Sequence, residues 1–271
     1  MSDRTIVIGD THGCFDELQG LMEKCEVASD DWVISLGDMV DRGYKTKEVV
    51  DFFRRRDHPD KRSAIQGNHE ERQLKYLAES KKKKPVKFSA DYHADTFQAL
   101  APSDFEWFKS LPRFIRLPED SIRAPDGLPI VLIHAGCVPQ VPLEEQSDHI
   151  LMHASNIELP KNGYYLDGIF HGYWTGRERT FWTSKAPPGV PFWAKTYDGS
   201  LGHVVFGHSG FLKVARFSHA TGIDLGCCFG RELCALILPE WRFVTVPARA
   251  EYKKSSRVKI FEVYPGIEVF S

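Results

Sequence analysis

Strand-like segments alternate with helical periodicity along the first quarter of the chain. Residues 4–8, 32–36 and 62–65 have the length and composition of short, largely buried strands. Between them, apolar residues recur at helical spacing, first over 15–22 and then over 49–53. This alternation predicts an α/β fold in which a sheet carries helices on its faces.

The second half of the chain is predicted to contain more strands. Ile130–Ile133 and His203–Phe206 are continuous apolar runs, which are typical of buried strands. From residue 214 to residue 246, four strand-like segments follow one another with short turns, among them Gly222–Leu225. The short turns predict an antiparallel run.

We expect one domain over residues 1–250 and a tail over 251–271. Within the domain, residues 71–111 are predicted to be a helical insertion and residues 140–200 a loop-rich insertion. The loop-rich insertion is unusually aromatic. Its aromatic side chains either stack on nucleobases or close a local core, and the core is the commoner arrangement.

The composition is that of an ordinary soluble protein. The 271 residues are 42% hydrophobic and 27% charged, with a formal net charge of −2. This balance argues against a dedicated nucleic-acid coat or a membrane-surface protein. No apolar run reaches the roughly 18 residues of a membrane span. The six cysteines form no CxxC pair, so we expect reduced thiols and a cytoplasmic location.

Chemically active side chains follow five of the predicted strands. They are Asp10 and His12, Asp38 and Asp41, Asn68 and His69, His134, and His208. Taken one at a time, such residues are more often turn or cap residues. In open sheets, however, ligands collect where the strands end, and five such coincidences indicate a site. Imidazole, carboxylate and amide ligands suit borderline or hard cations.

The segment Gly37–Gly43 concentrates this chemistry. Asp38 could bridge two cations, Asp41 could orient a histidine, and Arg42 could grip a phosphate with its planar fork. A polar turn between a strand and a helix is the alternative for this segment alone.

Five short motifs together resemble the signature of the calcineurin-like metallophosphoesterases. They are Gly-Asp-Thr-His-Gly at 9–13, Gly-Asp-Met-Val-Asp-Arg-Gly at 37–43, Gly-Asn-His-Glu at 67–70, His-Ala-Gly at 134–136 and Gly-His-Ser at 207–209. The resemblance is to the branch that holds serine/threonine protein phosphatases, the lambda-type phosphatase and ApaH-like diadenosine tetraphosphatases, with the ApaH-like group nearest. It implies a sandwich of two mixed β-sheets flanked by helices.

The resemblance also implies roles for individual residues. The first of two divalent cations would be held by Asp10, His12 and Asp38. The second would be held by Asp38, Asn68, His134 and His208, so that Asp38 bridges both. His69 would protonate the leaving oxygen with Asp41 holding its ring, and Arg42 and Asn68 would contact the phosphate. Hydroxide held by the two cations would attack phosphorus in line. Manganese is the expected metal, and iron, zinc, cobalt or nickel are alternatives.

The motifs define the reaction more closely than the substrate. Residues 221–236 and 191–208 resemble ApaH-like proteins, which favours dinucleoside polyphosphates and extends to capped RNA 5′ ends. Arg177 and Arg179 would then hold distal phosphates, unless their segment is a solvated loop. The lysine run 81–84 either ends a helix in solvent or attracts an anionic substrate.

Other functions stay open at this point. Asp41 and Glu70 also match protein phosphatases, so a protein phosphatase or a broad-specificity phosphomonoesterase with the same metal centre is the alternative. A catalytically inactive binding module is disfavoured because every metal and acid position is filled. The sequence predicts no membrane partner, and it leaves the oligomeric state open.

Overall fold

The computed structural model describes residues 4–54, 62–82, 85–120, 122–158 and 189–254, and the backbone of three short strands between residues 164 and 181. These residues form two compact units. The first unit is drawn from Met1–Pro112 and Asp224–Val258, and the second from Arg113–Ile223. Among the described helices, none combines the length and hydropathy needed to cross a membrane.

A mixed five-stranded sheet forms the centre of the first unit. Its strands are β1 (Thr5–Ile8), β2 (Trp32–Ser35), β3 (Arg62–Ala64), β13 (Glu232–Leu238) and β14 (Arg242–Pro247), in the spatial order β14-β13-β1-β2-β3. Strands β1, β2 and β3 are parallel, with Ile8 opposite Ser35 and Ser35 opposite Ala64. Their carboxyl ends therefore share one edge of the sheet.

Five helices accompany this sheet. They are α1 (Phe15–Lys24), α2 (Thr46–Phe53), α3 (Asn68–Ser80), α4 (Asp91–Ala99) and α5 (Pro102–Ser110). Side chains of β1 and of the inner faces of α1 and α2 are buried in one hydrophobic core, which includes Ile6, Leu18 and Val49. Because β1 lies between β13 and β2, all four of its residues are buried, which explains its continuous apolar run.

A second mixed five-stranded sheet lies in the second unit. Its strands are β4 (Phe114–Arg116), β5 (Ile130–Ile133), β10 (His203–Phe206), β11 (Ala215–Arg216) and β12 (Ala220–Gly222), in the order β11-β12-β10-β5-β4. β5, β10 and β12 run parallel, whereas β4 and β11 are antiparallel to their neighbours. Two mixed five-stranded sheets with helices confirm the predicted α/β fold class.

The loop-rich segment contains more regular structure than its sequence pattern predicts. It holds α6 (Asp148–His153), β6 (Asn156–Glu158), β7 (Tyr164–Leu166), β8 (Ile169–His171) and β9 (Arg179–Phe181), with β6 paired to β9 and β7 to β8. Short 3-10 helices occur at Leu143–Glu145, Trp193–Lys195 and, in the first unit, Cys227–Phe229.

Two details of the sequence prediction are wrong. The strand expected at Gly222–Leu225 lies at Ala220–Gly222. The antiparallel run is also interrupted there, because β12 pairs in parallel with β10, and the next strand, β13, belongs to the other sheet. Strand pairing depends on partners distant in sequence, which the local pattern does not contain.

Candidate active site

The loops after β1 and β2 interlock through their backbones. The His12 amide donates to the Asp38 carbonyl at 2.8 Å, and the Gly43 amide donates to the His12 carbonyl at 2.8 Å. Gly43 is required by this close approach, since a Cβ there would lie 2.4 Å from the His12 oxygen. The first two motifs therefore form one rigid element at the edge of the sheet.

Glu70 ties the third motif to the second. Its Oε1 accepts hydrogen bonds from the amides of Met39 and Val40 at 2.8 and 3.2 Å, and its Oε2 accepts from those of Asp38 and Gly67 at 2.9 Å each. Glu70 is fully buried, and as the third residue of α3 it also caps that helix. One carboxylate thus satisfies four amides and fixes the loop that carries Asp38.

Sequence reasoning missed this positioning role of Glu70. The local signal was present, because a glutamate at the third position of a helix is the capping-box residue. Its hydrogen bonds to the amides of Asp38 and Met39 join residues more than 30 positions apart, and no local sequence pattern predicts them.

Four non-glycine residues of these loops have left-handed backbone conformations. The φ angles of His12, Asp38, Asp41 and Arg42 are 43°, 49°, 69° and 71°. Such conformations cost on the order of 1–3 kcal/mol each and cluster at functional sites. The loop contacts therefore hold these four side chains in positions that an unconstrained backbone would rarely adopt.

The predicted metal ligands of the first unit are buried where the strands end. Asp10, His12, Asp38 and Asn68 are each at most 3% exposed. His12 Nε2 lies 3.9 Å from Asp10 Oδ2 and 3.5 Å from Asp38 Oδ2. Ligands that each bind a cation at about 2.0–2.2 Å lie at comparable separations from one another.

The orientation of His12 also fits a metal ligand. Its Nδ1 is 2.8 Å from the Val40 carbonyl oxygen and can only donate there, which leaves the Nε2 lone pair directed towards the two carboxylates. A backbone acceptor behind a ligating imidazole is the usual means of setting its tautomer. Together with the carboxylates, this donor set fits a divalent cation.

His69 and Asp41 form a buried pair beside these ligands. His69 Nδ1 lies 2.6 Å from Asp41 Oδ2, and Gln73 Nε2 donates to Asp41 Oδ1 at 2.7 Å. Burial raises the pKa of Asp41 to about 7, against the opposing hydrogen bond from Gln73. Burial, followed by the charge of Arg42, lowers the pKa of His69 well below its ordinary value. The contact with Asp41 fixes Nδ1 of His69, and Nε2 is the ring nitrogen that faces the guanidinium of Arg42.

The guanidinium of Arg42 bridges two imidazoles. One of its nitrogens lies 2.7 Å from His12 Nε2 and another lies 3.0 Å from His69 Nε2. Its carbon stacks over the Phe229 ring at 5.0 Å. One lone pair cannot both accept from Arg42 and bind a cation, so occupation of His12 Nε2 by a metal would release one edge of the arginine fork.

The remaining two predicted ligands, His134 and His208, lie in the second unit. His134 follows β5 and His208 follows β10, and these strands are parallel with Ile133 opposite Phe206. His208 Nδ1 is 3.2 Å from His134 Nε2, and His208 also has a left-handed backbone, with φ of 64°. Within this unit, the sheet register brings the two imidazoles together.

Two further predictions concern the loop-rich segment. Arg177 lies outside the described residues, and of Arg179 only the backbone is described, at the start of β9. Among the aromatic residues of the segment, Phe192, Trp193 and Tyr197 are at most 2% exposed. These three close a local core and do not offer a stacking surface.

Of the lysine run, Lys81 and Lys82 are exposed where α3 ends, as expected for a solvated helix end. Residues 83 and 84 lie outside the described residues.

Comparison with known proteins places the sequence pattern in a family. The calcineurin-like phosphoesterase family matches residues 3–210. The asymmetrical bis(5′-nucleosyl)-tetraphosphatase PrpE of Bacillus velezensis is 28% identical, over 92% of this chain and 94% of that protein. The symmetrical bis(5′-nucleosyl)-tetraphosphatase of Actinobacillus pleuropneumoniae is also 28% identical, over 84% of this chain and 93% of that protein.

Solved structures agree on the fold. A crystal structure of a candidate diadenosine tetraphosphatase has a TM-score of 0.69 and 23% identity, and it covers 92% of this chain and 95% of its own. A protein serine/threonine phosphatase of Saccharomyces cerevisiae has a TM-score of 0.53 and 16% identity, over 92% and 80%. At these identities the likeness shows the fold alone.

Proposed function

This chain belongs to the calcineurin-like phosphoesterase family of metal-dependent phosphoester hydrolases, and we propose that its substrates are dinucleoside polyphosphates such as diadenosine tetraphosphate. We choose this substrate class because the chain is similar over nearly its full length to proteins named as tetraphosphatases. A cytoplasmic location fits a nucleotide substrate and six free, buried cysteines.

We assign the metal ligands as the family signature implies. Asp10, His12 and Asp38 would hold one divalent cation, and Asp38 with Asn68, His134 and His208 would hold the second. When bound, two such cations supply Lewis acidity and lower the pKa of a water molecule towards neutrality. We propose manganese as the metal; iron, zinc, cobalt and nickel accept the same imidazole, carboxylate and amide ligands.

Arg42 and His69 carry the protein's own part of the reaction. The planar fork of Arg42 binds oxygens of the phosphoryl group under attack, because two N–H donors match two phosphate oxygens. His69 delivers a proton from Nε2 to the leaving oxygen while Asp41 holds Nδ1. Negative charge of a bound polyphosphate beside Nε2 favours the protonated ring and offsets the effect of burial on its pKa.

A substrate panel tests the choice of substrate. With Mn²⁺ added, the enzyme is expected to hydrolyse diadenosine tetraphosphate much faster than a phosphoserine peptide or p-nitrophenyl phosphate. A capped RNA belongs in the panel because its 5′ end is also a polyphosphate between two nucleosides. Equal or reversed rates with the phosphoserine peptide would reject the proposal in favour of a protein phosphatase. The products, ATP with AMP or two molecules of ADP, distinguish asymmetrical from symmetrical cleavage.

Two substitutions separate metal binding from proton transfer. His69→Ala is expected to lose turnover and to keep its affinity for Mn²⁺, because the imidazole is assigned to the leaving group. Asp38→Ala is expected to lose both, because its carboxylate is assigned to both cations. Mn²⁺ titration by calorimetry alongside steady-state kinetics provides the measurement. Undiminished turnover in either variant would contradict the role assigned to that residue.

A further inference from the structure

A cavity of about 660 Å³ opens beside Arg42 in the first unit. Its size is within the range of small-molecule binding sites, which is about 300–1,000 Å³. It is lined by residues that follow Arg42, by the side of α4 and by residues 252–254. No role in catalysis or metal binding has been assigned to the side chains beyond Arg42, so the cavity is a separate feature next to the reacting centre.

Three tyrosines line this cavity. Tyr44 is 80% exposed, which is unusual for a large aromatic side chain, and its ring makes a T-shaped contact with that of Tyr252, with the centroids 5.2 Å apart. Tyr252 is anchored, since its hydroxyl donates to Glu17 Oε1 at 2.7 Å. Tyr92 lies under the Lys253 ammonium at 4.8 Å from its ring centroid. The cavity therefore presents an open aromatic face on a fixed support.

The charged groups of the lining suit the polar parts of a nucleotide. Lys253 and Lys254 supply positive charge for phosphate. Asp91 and Asp95 supply acceptors for ribose hydroxyls or for the exocyclic amine of a purine. The lining thus combines cations, hydrogen-bond acceptors and aromatic rings. A phosphomonoester without a base and a ribose would contact only the cations.

Arg42 connects this cavity to the reacting centre. Its side chain is part of the lining, and it also contacts His12 and His69. A phosphate held by Arg42 would therefore have its attached nucleoside within reach of the cavity.

We propose that this cavity binds one nucleoside of the substrate, with the base stacked on Tyr44 and the ribose directed towards Asp91 and Asp95. The inference rests on the proposed hydrolysis of dinucleoside polyphosphates and names the subsite that recognises the nucleoside. It makes Tyr44 a specificity-determining residue, since an aromatic face discriminates a nucleotide from a sugar phosphate that lacks the base.

Calorimetric titration of the Mn²⁺-loaded full-length protein tests the subsite without depending on turnover. The ligands are AMP and ribose 5-phosphate, which differ only in the base. We expect AMP to bind about tenfold more tightly than ribose 5-phosphate to the wild-type protein, as base–aromatic stacking implies. Tyr44→Ala is expected to abolish this difference, and Tyr44→Phe, which keeps the aromatic face, is expected to retain it.

Trp241→Ala is the matched control, because it removes an aromatic side chain of the same unit that does not line the cavity. It is expected to leave the ratio of the two dissociation constants unchanged. Circular dichroism checks that each variant is folded. Equal affinity of the wild-type protein for AMP and ribose 5-phosphate, or an undiminished preference in Tyr44→Ala, would overturn the subsite. Failure to hydrolyse diadenosine tetraphosphate would instead reject the proposed function, since binding and turnover are measured separately.

Discussion

Replacing Glu70 by glutamine tests whether one buried carboxylate holds the metal-binding loop. The substitution keeps the size of the side chain and replaces one carboxylate oxygen by the NH₂ group of an amide. Either orientation of the amide removes the acceptor of two amides, namely those of Met39 and Val40 or those of Asp38 and Gly67. The new NH₂ group then faces two buried N–H donors.

The size of the effect follows from the lost bonds. A hydrogen bond to a charged group contributes about 1.5–3 kcal/mol, so the loss of two is expected to lower the free energy of unfolding by about 3 kcal/mol or more. That is a large part of the roughly 5–15 kcal/mol of a typical domain. Because the released amides belong to the loop of Asp38, the affinity for Mn²⁺ is expected to fall as well.

Urea unfolding followed by circular dichroism measures the stability of the metal-free protein, and calorimetry measures Mn²⁺ binding. Glu71→Gln is the control, because Glu71 is the next residue of the same helix and pairs with Lys75 at 2.7 Å on the surface. Its effect is expected to stay within about 0.5 kcal/mol. If Glu70→Gln were as stable as Glu71→Gln and bound Mn²⁺ normally, the positioning role of Glu70 would be refuted.

Further substitutions and metal removal test other parts of the structure. Asp41→Asn is expected to lower kcat about a hundredfold with little change in Mn²⁺ affinity, because it disturbs the proton on His69 rather than a ligand; steady-state kinetics with calorimetry measures both. Gly67→Ala would place a Cβ 2.3 Å from Asp38 Oδ1, so it is expected to cost about 1–3 kcal/mol in urea unfolding, and an unchanged midpoint would contradict the close packing. Tyr197→Phe removes a buried hydroxyl that both donates and accepts, and a loss of about 1–3 kcal/mol is expected in the same assay. Chelation by EDTA is expected to abolish hydrolysis and Mn²⁺ to restore it; activity that survives chelation would argue against a metal-dependent reaction.

The fold class could be predicted because it depends on local patterns. Short apolar runs define β1, β2 and β5, and the polar residues that follow them lie where the strands end. The parallel register then places Asp10 and Asp38 near one edge and His134 near the end of its own sheet.

The features that could not be predicted depend on contacts between distant residues. The chain leaves one sheet after Gly222 and joins the other at Glu232. The sequence of neither strand indicates which strand it pairs with. The hydrogen bonds of Glu70 and the cavity beside Tyr44 also depend on residues that are distant in sequence. In the sequence, Tyr44 is a single aromatic residue in a polar segment. Its ring contact is with Tyr252, which is more than 200 residues away, so the local pattern does not indicate the proposed subsite.

The left-handed backbone of four site residues lowers the stability of the fold, while their side chains are the ones assigned to the reaction. Glycine at position 41 or 42 would relieve the backbone, since glycine adopts positive φ freely, but it would delete the carboxylate or the guanidinium. At Asp41 the relief would be offset, because loss of the carboxylate leaves the buried Gln73 amide without this acceptor. Stabilised versions of this enzyme would then have to draw their gains from elsewhere in the chain.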